Sequence, residues 1–169
     1  MNELKKAYIA GGCFWGIEAY FKKINGIEDT EVGYAGGSVE NPTYEQVCSG
    51  ATGHTETLEL IFDDSVISIA EVLRHFERIH EPTSLNKQGN DIGSQYRSAI
   101  FYTTEDQKQA ALDWMKDAES RYSEEIVTEI APLDTFYPAE EYHQDYLDKN
   151  PGGYCHVNLG LADEPLEKE

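Results

Sequence analysis

Cys13 is the first residue whose type and surroundings could do chemistry. The segment YIAGGCFWGIEAYF, residues 8–21, places it between two glycines and the aromatic pair Phe14-Trp15. A strand pattern ends at Gly11-Gly12 and a helical pattern begins at Phe14, so the thiol lies at a helix N-terminus. Unpaired backbone N–H groups and the helix dipole favour a thiolate there. A core cysteine at a tight turn explains the spacing equally well, so both interpretations stay open.

Glu56 is a second residue whose position suggests chemistry. It lies in the segment TGHTET, residues 52–57, directly before the apolar part of a strand. A carboxyl group buried in an aromatic pocket has a raised pKa and can act as a general acid. Taken alone, Glu56 is more simply interpreted as an ordinary strand-edge glutamate.

Four more candidates lie in two polar segments rich in turn residues. Tyr44 and Cys48 belong to ENPTYEQVCSG, and Asp91 and Tyr96 belong to QGNDIGSQYRS. Aspartate in such segments usually forms an Asx turn, and tyrosine usually packs. Long loops in a compact domain are often functional, which keeps these residues as candidates.

Cys155 lies in NPGGYCHVNLG, on a glycine-rich C-terminal tail that we expect to be mobile. A thiol on a flexible tail can reach a reactive cysteine, form a disulfide with it and present that disulfide to a reductant. The alternative is an incidental tail cysteine.

The histidines do not form a metal-binding pattern. His75 and His80 are five residues apart, about 140° around a helix, so they do not share a face. His54, His143 and His156 are scattered, and the sequence has no C-x-x-C motif. It also has no phosphate loop or dinucleotide fingerprint. We therefore expect neither a metal nor a cofactor.

Composition and charge restrict the partners and the compartment. The chain has 169 residues, with 13 Lys plus Arg against 32 Asp plus Glu and a formal net charge of −19. That balance disfavours nucleic acid and anionic membranes as partners. The N-terminal apolar stretch is too short for a signal peptide, and no apolar run approaches the roughly 20 residues that span a bilayer. Three cysteines do not make a secreted disulfide framework, so a cytoplasmic, reducing location is expected.

The pattern of elements predicts a single α/β domain. Strands and helices follow in the order strand-helix-strand-strand-helix-strand, which is the split βαβ arrangement, a two-layer sandwich with helices on one face of the sheet. The segments 35–55 and 81–95 are predicted to be loops. The predicted elements are a strand at 6–10, a helix from Phe14 to Ile24, strands at 27–37 and 56–63, a helix capped by Ser68 and Glu71, a strand at 96–103, a helix capped by Thr104 and Gln107, a strand at 125–132 and a helix at 138–150.

Five motifs together resemble, in order, the signatures of the A-class peptide methionine sulfoxide reductases. They are GGCFWG, GYAGG, NPTYEQVCSGATGHTE, QGNDIGSQYRS and FYPAEEYHQDYL, and the resemblance runs from about residue 6 to 158. It implies an α/β sandwich that forms one catalytic domain over residues 1–169, with a core at about 6–150 and a tail at 151–169. It also implies reduction of the S epimer of methionine sulfoxide, free or in oxidised proteins, with a thioredoxin-type reductant.

The resemblance assigns the chemistry to three residues. Cys13 is the expected nucleophile, which passes through a sulfenic acid, and Glu56 is the expected acid. Cys155 matches the recycling cysteine of the family. Because the chain has no second tail cysteine, a single disulfide between Cys13 and Cys155 is expected. Cys48 occupies a position where the family often has a cysteine with no settled need for it.

The resemblance also assigns the substrate contacts. Phe14 and Trp15 are expected to hold the S-methyl group, which a small apolar wall would select. Tyr44 and Tyr96 are expected to hydrogen-bond the sulfoxide oxygen or an ordered water in its place. The other two expected contacts are Asp91, which would anchor the substrate backbone, and His143, which would line the same cleft.

Two rival functions remain to be separated from this one. A thiol peroxidase would also pass through a sulfenic acid at Cys13, but hydroperoxide is small and polar and would not need Phe14-Trp15. A redox-sensing or binding module would use Cys13 and Cys155 as a switch, and would give Glu56 no role. Turnover on peroxide and on methionine sulfoxide distinguishes these alternatives.

Overall fold

The computed structural model describes residues 4–88, 91–150, 153, 157 and 159–163. Its strands are β1 (Leu4–Gly11), β2 (Ile27–Ala35), β3 (Thr55–Asp63), β4 (Lys87–Gln88), β5 (Asp91–Ile92), β6 (Ser98–Tyr102), β7 (Glu129–Pro132) and β8 (Tyr137–Pro138). Its α-helices are α1 (Phe14–Phe21), α2 (Tyr44–Cys48), α3 (Ile69–Arg78), α4 (Glu105–Glu119) and α5 (Tyr146–Lys149). Short 3-10 turns span Ser94–Tyr96, Glu141–His143 and Leu159–Asp163.

A mixed sheet forms the centre of the fold. Within the described residues its strand order is β7-β6-β1-β3-β2-β8, and every neighbouring pair is antiparallel except β6 with β7. Strand β3 separates β1 from β2, so the chain must cross one face of the sheet between these two strands, and α1 makes that crossing. Strands β4 and β5 pair with each other in a separate small hairpin. The prediction of an α/β fold is confirmed.

The two faces of the sheet bury different clusters because side chains alternate along each strand. In β1, Ala7 and Ile9 join the main core, while Tyr8 and Ala10 join a smaller cluster. Residues of α1, α3 and α4 complete the main core, so these three helices cover the same face. The catalytic candidates at the start of α1 therefore follow the end of β1, an interior strand that pairs with β3 and β6.

The helix starts follow the predicted capping residues. The Ser68 hydroxyl accepts a hydrogen bond from the backbone N–H of Glu71, and the Glu71 carboxylate accepts one from the N–H of Ser68, which is a complete capping box. The Thr104 hydroxyl caps α4 in the same way through the N–H of Gln107. Both predicted starts are confirmed.

The helix predicted at 138–150 is wrong as a continuous element. The chain instead forms the end of β8, the turn Glu141–His143 and the single-turn helix α5. Asp145 interrupts the helical path with φ 54° and ψ 34°, in the left-handed region. The side chain of Gln144 also pairs with the backbone of Val32, donating to its oxygen at 2.8 Å and accepting from its N–H at 2.9 Å. Tertiary hydrogen bonds have replaced the helical ones.

The two predicted loops contain short elements of their own. The segment 35–55 includes α2, which begins at a capping box made by Thr43 and Gln46. The segment 81–95 includes β4, β5 and the first two residues of the turn Ser94–Tyr96. These elements are too short to give a periodic signal in the sequence.

The tail is only partly described. Within 151–169, the turn Leu159–Asp163 packs against the main core through Leu159, Leu161 and Ala162, so this part does not extend freely into solvent as the predicted mobile tail would. The Arg78 guanidinium donates to the Leu161 carbonyl at 2.7 Å. Cys155, and with it the predicted disulfide, lies outside the described residues. Among the helices that are described, none is long and apolar enough to cross a membrane.

Candidate active site

Cys13 occupies the N-cap position of α1, directly after β1. Gly12 makes the turn between them with φ 104°, a conformation that favours glycine. At Gly11 a Cβ atom would lie 2.9 Å from the His80 ring, so the close approach of β1 to His80 requires glycine there too. The Cys13 side chain is buried, with 6% exposed, and does not cap the helix.

The environment of Cys13 keeps it a thiol. Burial raises its pKa well above the ordinary value, and the nearby Glu56 carboxyl raises it further. Backbone N–H groups of Trp15 and Gly16 lower the pKa, as expected at a helix N-terminus, but they do not offset burial. The expectation that the helix N-terminus makes Cys13 a thiolate is therefore wrong for the resting protein, because desolvation outweighs the helix dipole.

Glu56 is the buried carboxyl of this site. It lies in β3 with 1% of its surface exposed, and its Oε1 accepts a hydrogen bond from the Phe14 N–H at 3.1 Å. Burial raises its pKa to about 8, the Phe14 N–H lowers it, and the charge of Asp91 raises it. Its Oε2 has no hydrogen-bond partner among the described residues. A pKa of about 8 keeps Glu56 protonated at neutral pH, and its buried Oε2 remains unpaired among the described residues.

Tyr44 and Tyr96 bring two phenol groups to the same place. The pKa of each is raised by burial first and by the Glu56 carboxyl second. The nearby Cys48, Cys13 and Asp91 side chains also raise the pKa of Tyr96. The Tyr44 hydroxyl is hydrogen-bonded to the Cys48 thiol, which places Cys48 at the edge of the site.

Hydrogen bonds from two places hold these tyrosines. The Glu140 carboxylate accepts from the backbone N–H of Tyr44 at 3.0 Å and from the Tyr34 hydroxyl at 2.9 Å, and so fixes the start of α2. The Thr55 hydroxyl donates to the Gln95 carbonyl at 2.8 Å and ties the turn that carries Tyr96 to β3. Both tyrosines are therefore positioned relative to the strand that carries Glu56.

Asp91 belongs to the same cluster. It is the first residue of β5, and its charge acts on the pKa values of Cys13, Glu56 and Tyr96. A carboxylate in this position can accept a hydrogen bond from a bound substrate.

Aromatic rings form the rest of the site. The Phe14 ring is buried and lies 5.3 Å from the His143 ring and 6.4 Å from the Tyr44 ring. The Trp15 indole N–H donates to His143 Nδ1 at 3.0 Å, and the Trp15 ring stacks on Tyr146 at 3.8 Å. Since Nδ1 accepts, the neutral His143 carries its proton on Nε2, which has no hydrogen-bond partner among the described residues.

The structure thus brings together eight of the nine predicted site residues. Those are Cys13, Phe14, Trp15, Tyr44, Glu56, Asp91, Tyr96 and His143, while Cys155 lies outside the described residues. Sequence reasoning missed Tyr146 and Glu140, although both lie in the quoted motif FYPAEEYHQDYL. The signal that was available for Tyr146 is its spacing of three residues from His143. The described residues contain no group of three or more His, Cys, Asp or Glu placed to hold a metal ion.

Comparison with known proteins identifies the family. A model of the family "Peptide methionine sulfoxide reductase" matches residues 5–169. A peptide methionine sulfoxide reductase MsrA of Clostridium botulinum is 53% identical over 156 residues, which are 92% of this chain and 99% of that protein. The crystal structure of Mxr1 from Saccharomyces cerevisiae in reduced form superposes with a TM-score of 0.88 at 38% identity, covering 93% of this chain and 92% of that one. Mxr1 in complex with Trx2 superposes with a TM-score of 0.62 at 25% identity, covering 85% of each chain. The chain belongs to the peptide methionine sulfoxide reductase family and is an enzyme of the MsrA kind.

Proposed function

We propose that this enzyme reduces the S epimer of methionine sulfoxide, free or in oxidised proteins, to methionine, with Cys13 as nucleophile and Glu56 as acid. The observation that carries the proposal is the buried Glu56, protonated at neutral pH and with an unpaired Oε2, beside a buried thiol. A sulfoxide oxygen is a strong hydrogen-bond acceptor, and a neutral carboxylic acid in an apolar site is a suitable donor to it.

The raised pKa values of Cys13 and Glu56 suggest how the protons move. Glu56 protonates the sulfoxide oxygen while Cys13 Sγ attacks, and the resulting carboxylate takes the thiol proton. The S–O bond of the substrate breaks and an S–O bond forms on Cys13, which becomes a sulfenic acid. The substrate sulfur is reduced by two electrons and Cys13 is oxidised by two. No proton is needed from solvent, which suits a buried pair.

The substrate contacts follow from the surroundings of Cys13 and Glu56. Phe14 and Trp15 provide an apolar wall for the S-methyl group. Tyr44 and Tyr96 approach Glu56 and can hydrogen-bond the sulfoxide oxygen, or a water in its place. Asp91 accepts a hydrogen bond from the substrate backbone. His143 completes the wall beside Phe14 and Trp15.

Regeneration requires a second thiol and an external reductant. We propose that the Cys155 thiol attacks the Cys13 sulfenic acid, which releases water and forms a Cys13–Cys155 disulfide. A thioredoxin or similar dithiol then reduces that disulfide. The Trx2 complex of the structural relative Mxr1 supports a thioredoxin as the reductant. A cytoplasmic location would supply it.

We also propose that residues 1–169 form one catalytic domain with a split βαβ core, whose tail carries the recycling cysteine. The order β6-β1-β3-β2, with α1 following β1 and α3 following β3, supports this description of the core.

The epimers of the substrate provide the test. We expect thioredoxin-coupled turnover of the S epimer and essentially none of the R epimer. In the proposed arrangement Phe14 and Trp15 fix the methyl group, and Glu56, Tyr44 and Tyr96 fix the oxygen. Only one epimer then presents its sulfur atom to Cys13. The other epimer would put an unpaired oxygen against the aromatic wall, at a cost of roughly 1–3 kcal/mol or more, and would lose the attack geometry.

Separated epimers in parallel assays, with hydroperoxide as a third substrate, check this expectation. Comparable rates on both epimers would contradict the substrate arrangement. Faster turnover of hydroperoxide than of the S epimer would favour a thiol peroxidase, and a disulfide without turnover would favour a redox switch.

Substitution of the proposed recycling cysteine separates the two half-reactions. Cys155→Ser should still release about one methionine per enzyme in a single turnover without added thiol, since the first half-reaction needs only Cys13. It should then stall with thioredoxin as the reductant. The matched control is Cys48→Ser, which we expect to cycle nearly normally. Normal thioredoxin-driven cycling by Cys155→Ser would show instead that Cys48 resolves the sulfenic acid.

A further inference from the structure

We infer that Glu18 is a positioning residue for the substrate site: it binds the backbone at Asp145 and thereby holds His143 and Tyr146 against Trp15. The inference rests on the proposed function, since it concerns the wall that would receive the S-methyl group. The carboxyl oxygens of Glu18 bind Thr30 and Asp145 rather than the proposed reacting groups, so Glu18 would act through the segment 143–149.

Glu18 is a buried carboxyl that the proposed mechanism does not use. It lies in α1 with 1% of its surface exposed. Its Oε1 accepts a hydrogen bond from the Asp145 N–H at 2.8 Å, and its Oε2 accepts one from the Thr30 hydroxyl at 2.9 Å. Both carboxyl oxygens are therefore occupied by one donor from β2 and one from the segment 143–149.

The hydrogen bond from the Asp145 N–H to Glu18 lies where the segment 143–149 changes direction. Asp145 has left-handed backbone angles and follows Gln144, whose side chain is anchored to β2 through Val32. His143 and Tyr146 lie on either side of this point, and each contacts Trp15. A shift of the Asp145 backbone would therefore displace both residues from the indole.

Glu18 and Trp15 are three residues apart on the same helix, so they are neighbours on its surface. Helix α1 thus holds the segment 143–149 at two adjacent places, one polar and one aromatic. A third contact is more exposed: the Lys22 ammonium pairs with Asp145 at 2.5 Å and also with Asp148. Exposed ion pairs of this kind contribute little, which leaves the buried Glu18 contact as the stronger hold.

The charge of Glu18 is costly where it lies. Burial raises its pKa to about 7, the Asp145 charge raises it, and the Thr30 hydroxyl, the Asp145 N–H and the Lys22 charge lower it. A glutamine could reproduce both hydrogen bonds, accepting from Asp145 and donating to Thr30, whereas leucine could make neither. The comparison of these two substitutions therefore isolates the hydrogen bonds from the charge and from the volume.

The test uses Glu18→Leu, Glu18→Gln and the exposed control Lys22→Gln in the full chain. We expect Glu18→Leu to raise KM for the S epimer by roughly tenfold, because the part-buried Asp145 N–H loses its acceptor, with little change in the single-turnover rate at saturating substrate. Glu18→Gln and Lys22→Gln should stay within about twofold of the parent in KM.

Two physical measurements accompany the kinetics. In a Trp114→Phe background, Trp15 is the remaining tryptophan, and its emission should shift to the red in Glu18→Leu as Tyr146 and His143 separate from it. Hydrogen exchange of the Asp145 amide should be slow in the parent and in Glu18→Gln, and fast in Glu18→Leu. If Glu18→Leu fails to fold, Thr30→Val provides a milder variant, with a smaller KM rise in the same direction.

Several results would overturn the inference. They are an unprotected Asp145 amide in the parent, a folded Glu18→Leu with parental KM and Trp15 emission, or a Glu18→Gln as impaired as Glu18→Leu. If Thr30→Val is the only variant that folds, a KM and a Trp15 emission equal to those of the parent would also overturn the inference. If the parent does not reduce the sulfoxide at all, the proposed function fails, while emission and hydrogen exchange still test the hold on Asp145.

Discussion

Cys13→Ser should lose sulfoxide reduction completely while the protein keeps its fold. A serine hydroxyl is a far weaker nucleophile than a thiol and cannot form the sulfenic acid on which the second half-reaction depends. Serine is close to cysteine in volume and Cys13 does not cap α1, so the turn at Gly12 should accept it. The measurement is methionine released in a single turnover on the S epimer, together with the melting temperature.

Substitution of the other described cysteine provides the control. Cys48 is exposed and hydrogen-bonded to Tyr44, and Cys48→Ser replaces its thiol with a hydroxyl that can also accept from that phenol. It should release about one methionine per enzyme in the same assay, as we also expect of the parent. Appreciable methionine release by a folded Cys13→Ser would remove Cys13 from the nucleophile role.

Sequence motifs predicted most of the site, because each short motif contains the residues that are expected to act on the substrate. GGCFWG and GHTE lie on α1 and β3, and the Phe14 N–H brings Glu56 to the start of the helix. The predicted split βαβ arrangement places the third strand between the first two, but the sequence could not show the strand register that brings Glu56 to the start of α1. That placement depends on strand pairing between residues about fifty positions apart, for which a single sequence carries no direct signal.

The errors share a physical cause, which is that tertiary contacts overrode local preference. The segment 138–150 has a helical composition. However, the Gln144 side chain is hydrogen-bonded to β2 and the Asp145 N–H to α1, in place of the hydrogen bonds of a continuous helix. Cys13 has the expected helix N-terminus, yet burial raises its pKa. In both cases the decisive quantity is burial or a distant hydrogen bond, which appears only in the folded chain.

The neutral state of both Cys13 and Glu56 gives the second large expected effect. Glu56→Gln should still bind the S epimer, because an amide can also donate to the sulfoxide oxygen. It should lose rate by roughly 10²–10⁴-fold, since it has no acidic proton to give. In the parent, the single-turnover rate should be constant below about pH 7 and fall as Glu56 ionises near pH 8. The variant should lack that fall, and a retained fall in Glu56→Gln would assign it to another group.

The same carboxyl should also make the stability of the parent depend on pH. Its folded pKa is about 8 against an ordinary value of 4.5, so the folded state binds the proton more tightly than the unfolded chain does. Its contribution to the free energy of unfolding is therefore fully present below about pH 4.5 and is lost as the pH rises through 8. The loss is on the order of 3–5 kcal/mol, or roughly 10 °C in melting temperature for a chain of this size.

Glu56→Gln cannot ionise and should lack this loss. The melting temperature of the variant minus that of the parent should increase by roughly 10 °C between pH 5 and pH 9, whatever its value at pH 5. Glu18 has the same sign of pH dependence, and the net charge of −19 adds repulsion, but both are common to the two proteins and cancel in the difference. If the difference in melting temperature between variant and parent stays constant across this pH range, Glu56 is ionised in the folded resting enzyme. In that case it could not be the proton donor to the sulfoxide.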